Sequence, residues 1–239
     1  MLLCSVDSSA APASVSLFED GKLLAEYYLN TGFTHSQTLM AMIESVLKIS
    51  GKAADDIDLF AVNSGPGSFT GVRIGVSAVK GMAYALDKPC VEVSTLESMA
   101  YNFLGHHALI YACMDARRQQ IYHALFRVEG DKIERLCADI PIAIGDLIGE
   151  LPDMEDDEVI DEIILVGDGA ELVYRTAEHP AVKLAPPHIR YQRASSVALA
   201  AVEKYKRGEV VSPAALMPRY LRLSQAERER NARLQNERS

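Results

Sequence analysis

The amino-acid sequence predicts an α/β protein made of two similar halves with a cleft between them. Two observations carry that reading. The same order of elements appears twice, and in each half the first strand ends at an aspartate, Asp7 and then Asp115. In each half a glycine-rich turn then leads from a later strand into a helix. The aspartates lie about 108 residues apart and the glycine turns about 104. The length of 239 residues suits one large domain or two small ones.

The elements follow in order. Leu2–Asp7 (LLCSVD) reads as a short buried strand. Alternating residues over Ser14–Phe18 and Lys22–Tyr27 flank Asp20-Gly21, a strong hairpin signal. Leu39, Met42, Ile43, Val46 and Ile49 recur at helical spacing across Ser36–Ile49, and Gly51 follows as the C′ residue. Leu59–Asn63 is a strand, and SGPGSFTG leads into a second helix over Val72–Leu86. In the second half Ala108–Asp115 is a strand. Ile121–Val128 and Lys132–Leu136 form a hairpin around Glu129-Gly130-Asp131. Ala143–Leu151 is a short helix, and Ile163–Val166 is a strand running into Gly167-Asp168-Gly169 at the head of another helix. Ser195 is placed to N-cap a helix ending at Tyr205. Met217–Arg222 is extended because Pro218 restricts Met217. A capping box, Ser224-x-x-Glu227, opens a charged tail helix with the i,i+4 pairs Glu229–Arg233 and Arg233–Glu237. The expected division is an N-terminal lobe of residues 1–104, joined by a returning segment 211–239, and a C-terminal lobe of residues 105–210.

Composition narrows the class. Hydrophobic residues are 49% and charged residues 24%, the balance of a soluble globular chain, which excludes disorder over most of its length. No apolar run approaches the roughly 20 residues of a membrane helix. No basic region precedes the N-terminal apolar stretch, so a secretory signal is not expected. Cys4, Cys90, Cys113 and Cys137 lie far apart with no C-x-x-C pair, which suits reduced thiols in a cytoplasmic protein. The net charge is −9, and seven acids fall within Asp153–Glu162. The remainder is close to neutral, and no basic stripe in the sequence announces phosphate-backbone binding.

The string Ser64-Gly-Pro-Gly-Ser-Phe-Thr-Gly-Val-Arg-Ile-Gly75 is the most unusual feature. Gly65 and Gly67 permit a sharp turn, Ser68 or Thr70 can cap the next helix, and the free N–H groups there make an anion seat. It is neither a Walker A loop nor a Rossmann fingerprint. The competing reading is a purely structural strand-to-helix turn. Asp7-Ser8-Ser9 and Asp115 either face one cleft and hold Mg²⁺ with nucleotide phosphates, or merely top their strands as turn formers. Gly167-Asp168-Gly169 is a third candidate phosphate or adenosine contact. The histidines lack ligand spacing, so no metal site is expected. The second helix carries only Arg73 and Lys80 as charges, and the first has a similarly wide apolar stripe. Such helices are sandwiched in the core or are covered on one side by a partner.

VDSS after the first strand, His35-Ser36, SGPGSFTGVRIG, MDARRQQIY, GDGA and the terminal PRYLR span nearly the whole chain. On these residues the sequence resembles the TsaB (YeaZ) family of the bacterial system that makes N6-threonylcarbamoyladenosine in tRNA. The resemblance implies the duplicated actin/Hsp70/sugar-kinase fold, which is ribonuclease-H-like. It implies a non-catalytic subunit that pairs with the catalytic paralogue TsaD through its first two helices, forms homodimers alone, is joined by the ATPase TsaE and is linked functionally to TsaC. Contact with tRNA would come through that complex, and ATP or ADP would bind only weakly or at the complex interface. The interface residues expected on this basis are His35, Leu39, Met42, Ile43, Val46, Val72, Val76, Val79 and Ala83. TsaD carries an Asn-His-x-x-x-His metal motif. Thr95 and Met99 stand at the corresponding positions here, within a capping box Ser94-x-x-Glu97. The competing function is an ATP-dependent phosphotransferase or ATPase using Asp7 and Asp115. A peptidase is a third reading, unsupported by any nucleophile–base pair.

Overall fold

A computed structural model describes residues 1–152 and 162–222. The first half opens with β1 (Leu2–Asp7), β2 (Ala13–Glu19) and β3 (Lys22–Leu29), followed by α1 (His35–Ile49), β4 (Leu59–Gly65), α2 (Phe69–Ala85), β5 (Cys90–Ser94) and α3 (Thr95–Ala100). The second half comprises β6 (His107–Asp115), β7 (Gln120–Glu129), β8 (Lys132–Arg135), β9 (Ile140–Ala143), α4 (Ile144–Gly149), β10 (Glu162–Val166), α5 (Ala170–Ala177), β11 (Val182–Leu184), α6 (Pro187–Arg190) and α7 (Ala194–Lys206).

Each half builds one mixed sheet, and the two strand orders correspond. The first is β3-β2-β1-β4-β5 and the second β8-β7-β6-β10-β11, with β9 pairing β7. β1 is antiparallel to β2 and parallel to β4; β6 is likewise antiparallel to β7 and parallel to β10. This repeated order is the duplicated actin/Hsp70/sugar-kinase fold. The central strand of each sheet ends at its aspartate, β1 at Asp7 and β6 at Asp115, as expected.

Strand periodicity decides which helix covers which face. Leu2, Cys4 and Val6 alternate toward α1 and α2, while Leu3 joins Leu59, Ala61, Val91 and Val93 against α7. In the second sheet Ala108, Ile110, Ala112 and Met114 pack against α3, and Tyr111 and Cys113 against α4 and α5. The halves therefore exchange helices: α3 lies on the second sheet, α7 on the first, and the two touch each other between the sheets. After α7 the chain returns to the first sheet. Val211 bridges Cys90, Leu216 is buried in the first core, and the Arg219 amide donates to the Ser64 carbonyl at 2.7 Å.

Several local expectations change. α2 begins three residues earlier than expected, at Phe69, because Ser68 caps it and accepts the Gly71 amide at 3.3 Å. Ser195 is not the N-cap of α7; Arg193 holds that position, and the Ser195 amide and hydroxyl both donate to Glu26 on β3. The short strands β5, β9 and β11 and the single-turn α6 carry too few residues for periodicity to reveal them. The Ser224-x-x-Glu227 box, both tail ion pairs and the acidic run except Glu162 lie outside the described residues. All four cysteines are free, and burial pushes the Cys4 thiol up to about 12. Among the described residues no helix is long and apolar enough to cross a membrane.

Candidate functional site

A cavity of about 690 Å³ opens where the two halves meet. Ser9, Ala10 and Ala11 after β1, and Gly67 to Gly71 at the head of α2, form one wall. Asp115, Ala116 and Arg117 after β6, with Tyr122 and Asp168, form the other. Phe33, Thr34 and His35 close the rim.

Local geometry explains the glycine string. The α2 N-terminus is pressed against the Asp7-Ser8-Ser9 loop. The Ser8 hydroxyl donates to the Gly71 carbonyl at 2.8 Å, and the Ser68 amide donates to the Ser9 carbonyl at 2.7 Å. A Cβ on Gly71 would overlap the Ser8 carbonyl oxygen, and one on Gly75 the Ser8 hydroxyl. The glycines thus seat a helix directly on a loop, which is the structural reading weighed above. Ser68 also accepts the Gly71 amide, so part of the helix-head donor set is already used.

The candidate cleft residues divide. Ser9, Gly67, Ser68 and Asp115 line the cavity; Asp7, Ser8, Gly65, Gly167 and Gly169 do not. The expectation that Asp7 and Asp115 face one cleft is corrected. Asp7 is wholly buried, and its Oδ1 accepts the Ser9 hydroxyl at 2.7 Å, the Asn63 amide group at 2.8 Å and the Ser9 backbone amide at 3.3 Å. Burial pushes its carboxyl above the usual range, with the Ser9 and Asn63 bonds opposing. Gly65 turns to the opposite side, where a Cβ would overlap the Arg219 carbonyl. Gly167, with φ of +100°, packs on the Cys113 carbonyl, and Gly169 on the backbone after Met114. The Mg²⁺–nucleotide cradle built on two facing aspartates therefore does not fit these residues.

Asp168, the middle residue of the Gly167-Asp168-Gly169 turn singled out in the sequence, lines the cavity where its two flanking glycines do not. It accepts the Asp115 amide at 3.1 Å. Although open to the cavity, it sits on a concave floor crowded by protein. That burial, with the Asp115 charge adding and the Asp115 amide opposing, pushes it up to about 6. Asp115 accepts the Arg117 amide at 2.7 Å and pairs with its guanidinium at 3.4 Å.

The expected interface residues are corrected as well. Leu39, Met42, Ile43, Val46, Val72, Val76, Val79 and Ala83 are all buried in the first core, because the apolar stripes of both helices face β1, β2 and β4. His35 is half-buried, with Nε2 2.7 Å from the Ala10 carbonyl, and belongs to the cavity rim. The outward sides of α1 and α2 carry other residues. Met40 is 52% exposed and Tyr84 74%, while Ser77 and Gly81 are exposed between half-buried Ile74, Ala78 and Met82. Thr95 and Met99 lie one turn apart on α3 and are both buried.

The family model of TsaD, tRNA N6-adenosine threonylcarbamoyltransferase, matches residues 30–230. Over 232 residues the chain is 30% identical to the tRNA threonylcarbamoyladenosine biosynthesis protein TsaB of Bacillus subtilis, covering 95% of this chain and 96% of that one. The chain belongs to the TsaB (YeaZ) family. TsaB of Escherichia coli is 34% identical over 129 residues, 53% of this chain and 55% of the relative. YeaZ from Pseudomonas aeruginosa superposes with a TM-score of 0.76 at 26% identity, covering 92% of this chain and 99% of that one. The TsaB assignment thus rests on nearly the full length of both molecules and includes the two-sheet architecture. Within it, the VDSS and SGPGSFTGVRIG motifs are the loop and helix head that pack together beside the cavity.

Proposed function

We propose that this chain is a non-catalytic, partner-binding subunit of the system that installs threonylcarbamoyl on tRNA adenosine. In this reading it pairs with a TsaD relative, works with TsaE, and depends on TsaC for threonylcarbamoyl-adenylate. The observation that carries the reading is the solvent-facing side of α1 and α2. Its small residues Ser77, Ala78 and Gly81 sit among Ile74, Met82 and Tyr84, a surface a second helix pair can approach closely. The enclosure of Asp7 favours this reading over an independent phosphotransferase that would use Asp7 and Asp115 together. The same outward face would serve a homodimer when the partner is absent.

Reconstitution tests it. The chain alone should form no threonylcarbamoyladenosine, and a mixture of its TsaD, TsaE and TsaC relatives should require it. Equal modification without this chain ends the proposal. Turnover of Mg-ATP by the chain alone, weakened by Asp7→Asn, would support the phosphotransferase instead.

A further inference from the structure

The fold gathers cations that the sequence scatters. Arg73 lies on the exposed side of α2, with its guanidinium 3.7 Å from the centre of the Phe69 ring and its Nε donating to the Tyr220 hydroxyl at 2.6 Å. Phe69 and Tyr220 stack at 4.8 Å. Two residues beyond Tyr220, Arg222 donates to the Ala116 carbonyl and to the Gln120 side chain, on the turn between β6 and β7. That turn holds Arg117 and Arg118 outward, and Arg117, Arg118 and Gln119 all take left-handed backbone, with φ of +66°, +57° and +58°. L-residues rarely adopt this conformation, and three in succession mark a turn held in an unusual shape by its surroundings. Asp115 offsets Arg117, whereas Arg73, Arg118 and Arg222 form no ion pair with a described carboxylate. A contiguous basic surface with an exposed tyrosine therefore stands beside the cavity on a chain whose net charge is −9.

We propose that the surface formed by Arg73, Arg117, Arg118, Tyr220 and Arg222 binds RNA directly, with the arginines on backbone phosphates and Tyr220 offering a face to an unpaired base. The pathway reading above supplies only the choice of RNA as the polyanion. The local charge runs against the whole-chain charge, as expected of a surface kept for an anionic partner. The stacked ring beside it suits unpaired nucleotides better than a smooth lipid surface.

The test is fluorescence anisotropy of the full chain with an unmodified tRNA transcript and with its isolated anticodon stem-loop, across a salt series. The double variant Arg117→Gln/Arg118→Gln should weaken binding about tenfold at about 0.1 M salt, and lower the log–log salt slope by about 1.4, for two lost phosphate contacts. Arg117→Lys/Arg118→Lys should retain most of the affinity, which separates lost charge from a misfolded turn. Lys22→Gln, at the opposite end of the first sheet, should bind as wild type. Absence of RNA binding at low salt, equal weakening by Lys22→Gln, or capture of phosphatidylserine vesicles without RNA would overturn the proposal. A chain that binds RNA but is dispensable for modification would sink the subunit role and leave this surface standing; the reverse outcome would do the opposite.

Discussion

Gly71 and Ser8 are in direct contact: the Ser8 hydroxyl donates to the Gly71 carbonyl at 2.8 Å, and no side chain fits on the glycine without meeting the Ser8 carbonyl. Gly71→Ala should therefore destabilise the protein by about 1–3 kcal/mol, although alanine favours a helix interior by about 1 kcal/mol. Urea denaturation reads this as a lower midpoint. An unchanged or higher midpoint would show that α2 does not rest on the loop.

A second prediction concerns the link between the halves. Glu26 on β3 accepts the amide and hydroxyl of Ser195 at 3.0 and 2.8 Å and pairs with Arg193, so it caps α7 from a distant strand. Glu26→Ala should cost about 2 kcal/mol, and Glu26→Gln less, because the amide oxygen still accepts from Ser195. Thermal unfolding of the two variants in parallel checks the order.

The chain's pH response should include Asp168. Its carboxyl is raised from the ordinary 3.8 to about 6, so the folded state holds a proton that the unfolded state releases first. Stability relative to Asp168→Asn should be greatest below about pH 4, fall as pH rises to about 6, and stay level above. Denaturation midpoints of both proteins across that range, with an NMR titration of the carboxyl, test the sign. A gap between the two that is constant with pH would show that Asp168 titrates normally.

Much of the fold was legible because the duplication is written in long elements. The strand ending at Asp7, the hairpin at Asp20-Gly21 and the helix carrying Leu39 to Val46 all appear where periodicity puts them. The direction each residue faces was not legible. A stripe such as Val72, Val76, Val79 and Ala83 reads identically whether it meets a sheet of its own chain or another protein, and the tertiary fold assigned it to the sheet. The cap on α7 was hidden for a related reason, since Glu26 is remote from Ser195 in sequence and next to it in space. The cavity shares this limit: Phe33, Tyr122 and Asp168 come from three separate segments.

One side of α2, with Val76, is packed into the core, and the other, with Gly81, is open to solvent. Val76→Glu places a charge in the core and should unfold or strongly destabilise the chain. Gly81→Arg projects into open space, where a Cβ meets nothing within 4 Å, and should leave the fold and melting temperature intact. The most direct measurement is the dissociation constant between this chain and its TsaD relative, by calorimetry, for wild type and Gly81→Arg. Loss of at least tenfold in affinity with an unchanged melting temperature is the expected result. Wild-type affinity in the folded Gly81→Arg variant would contradict the claim that this face is the docking surface.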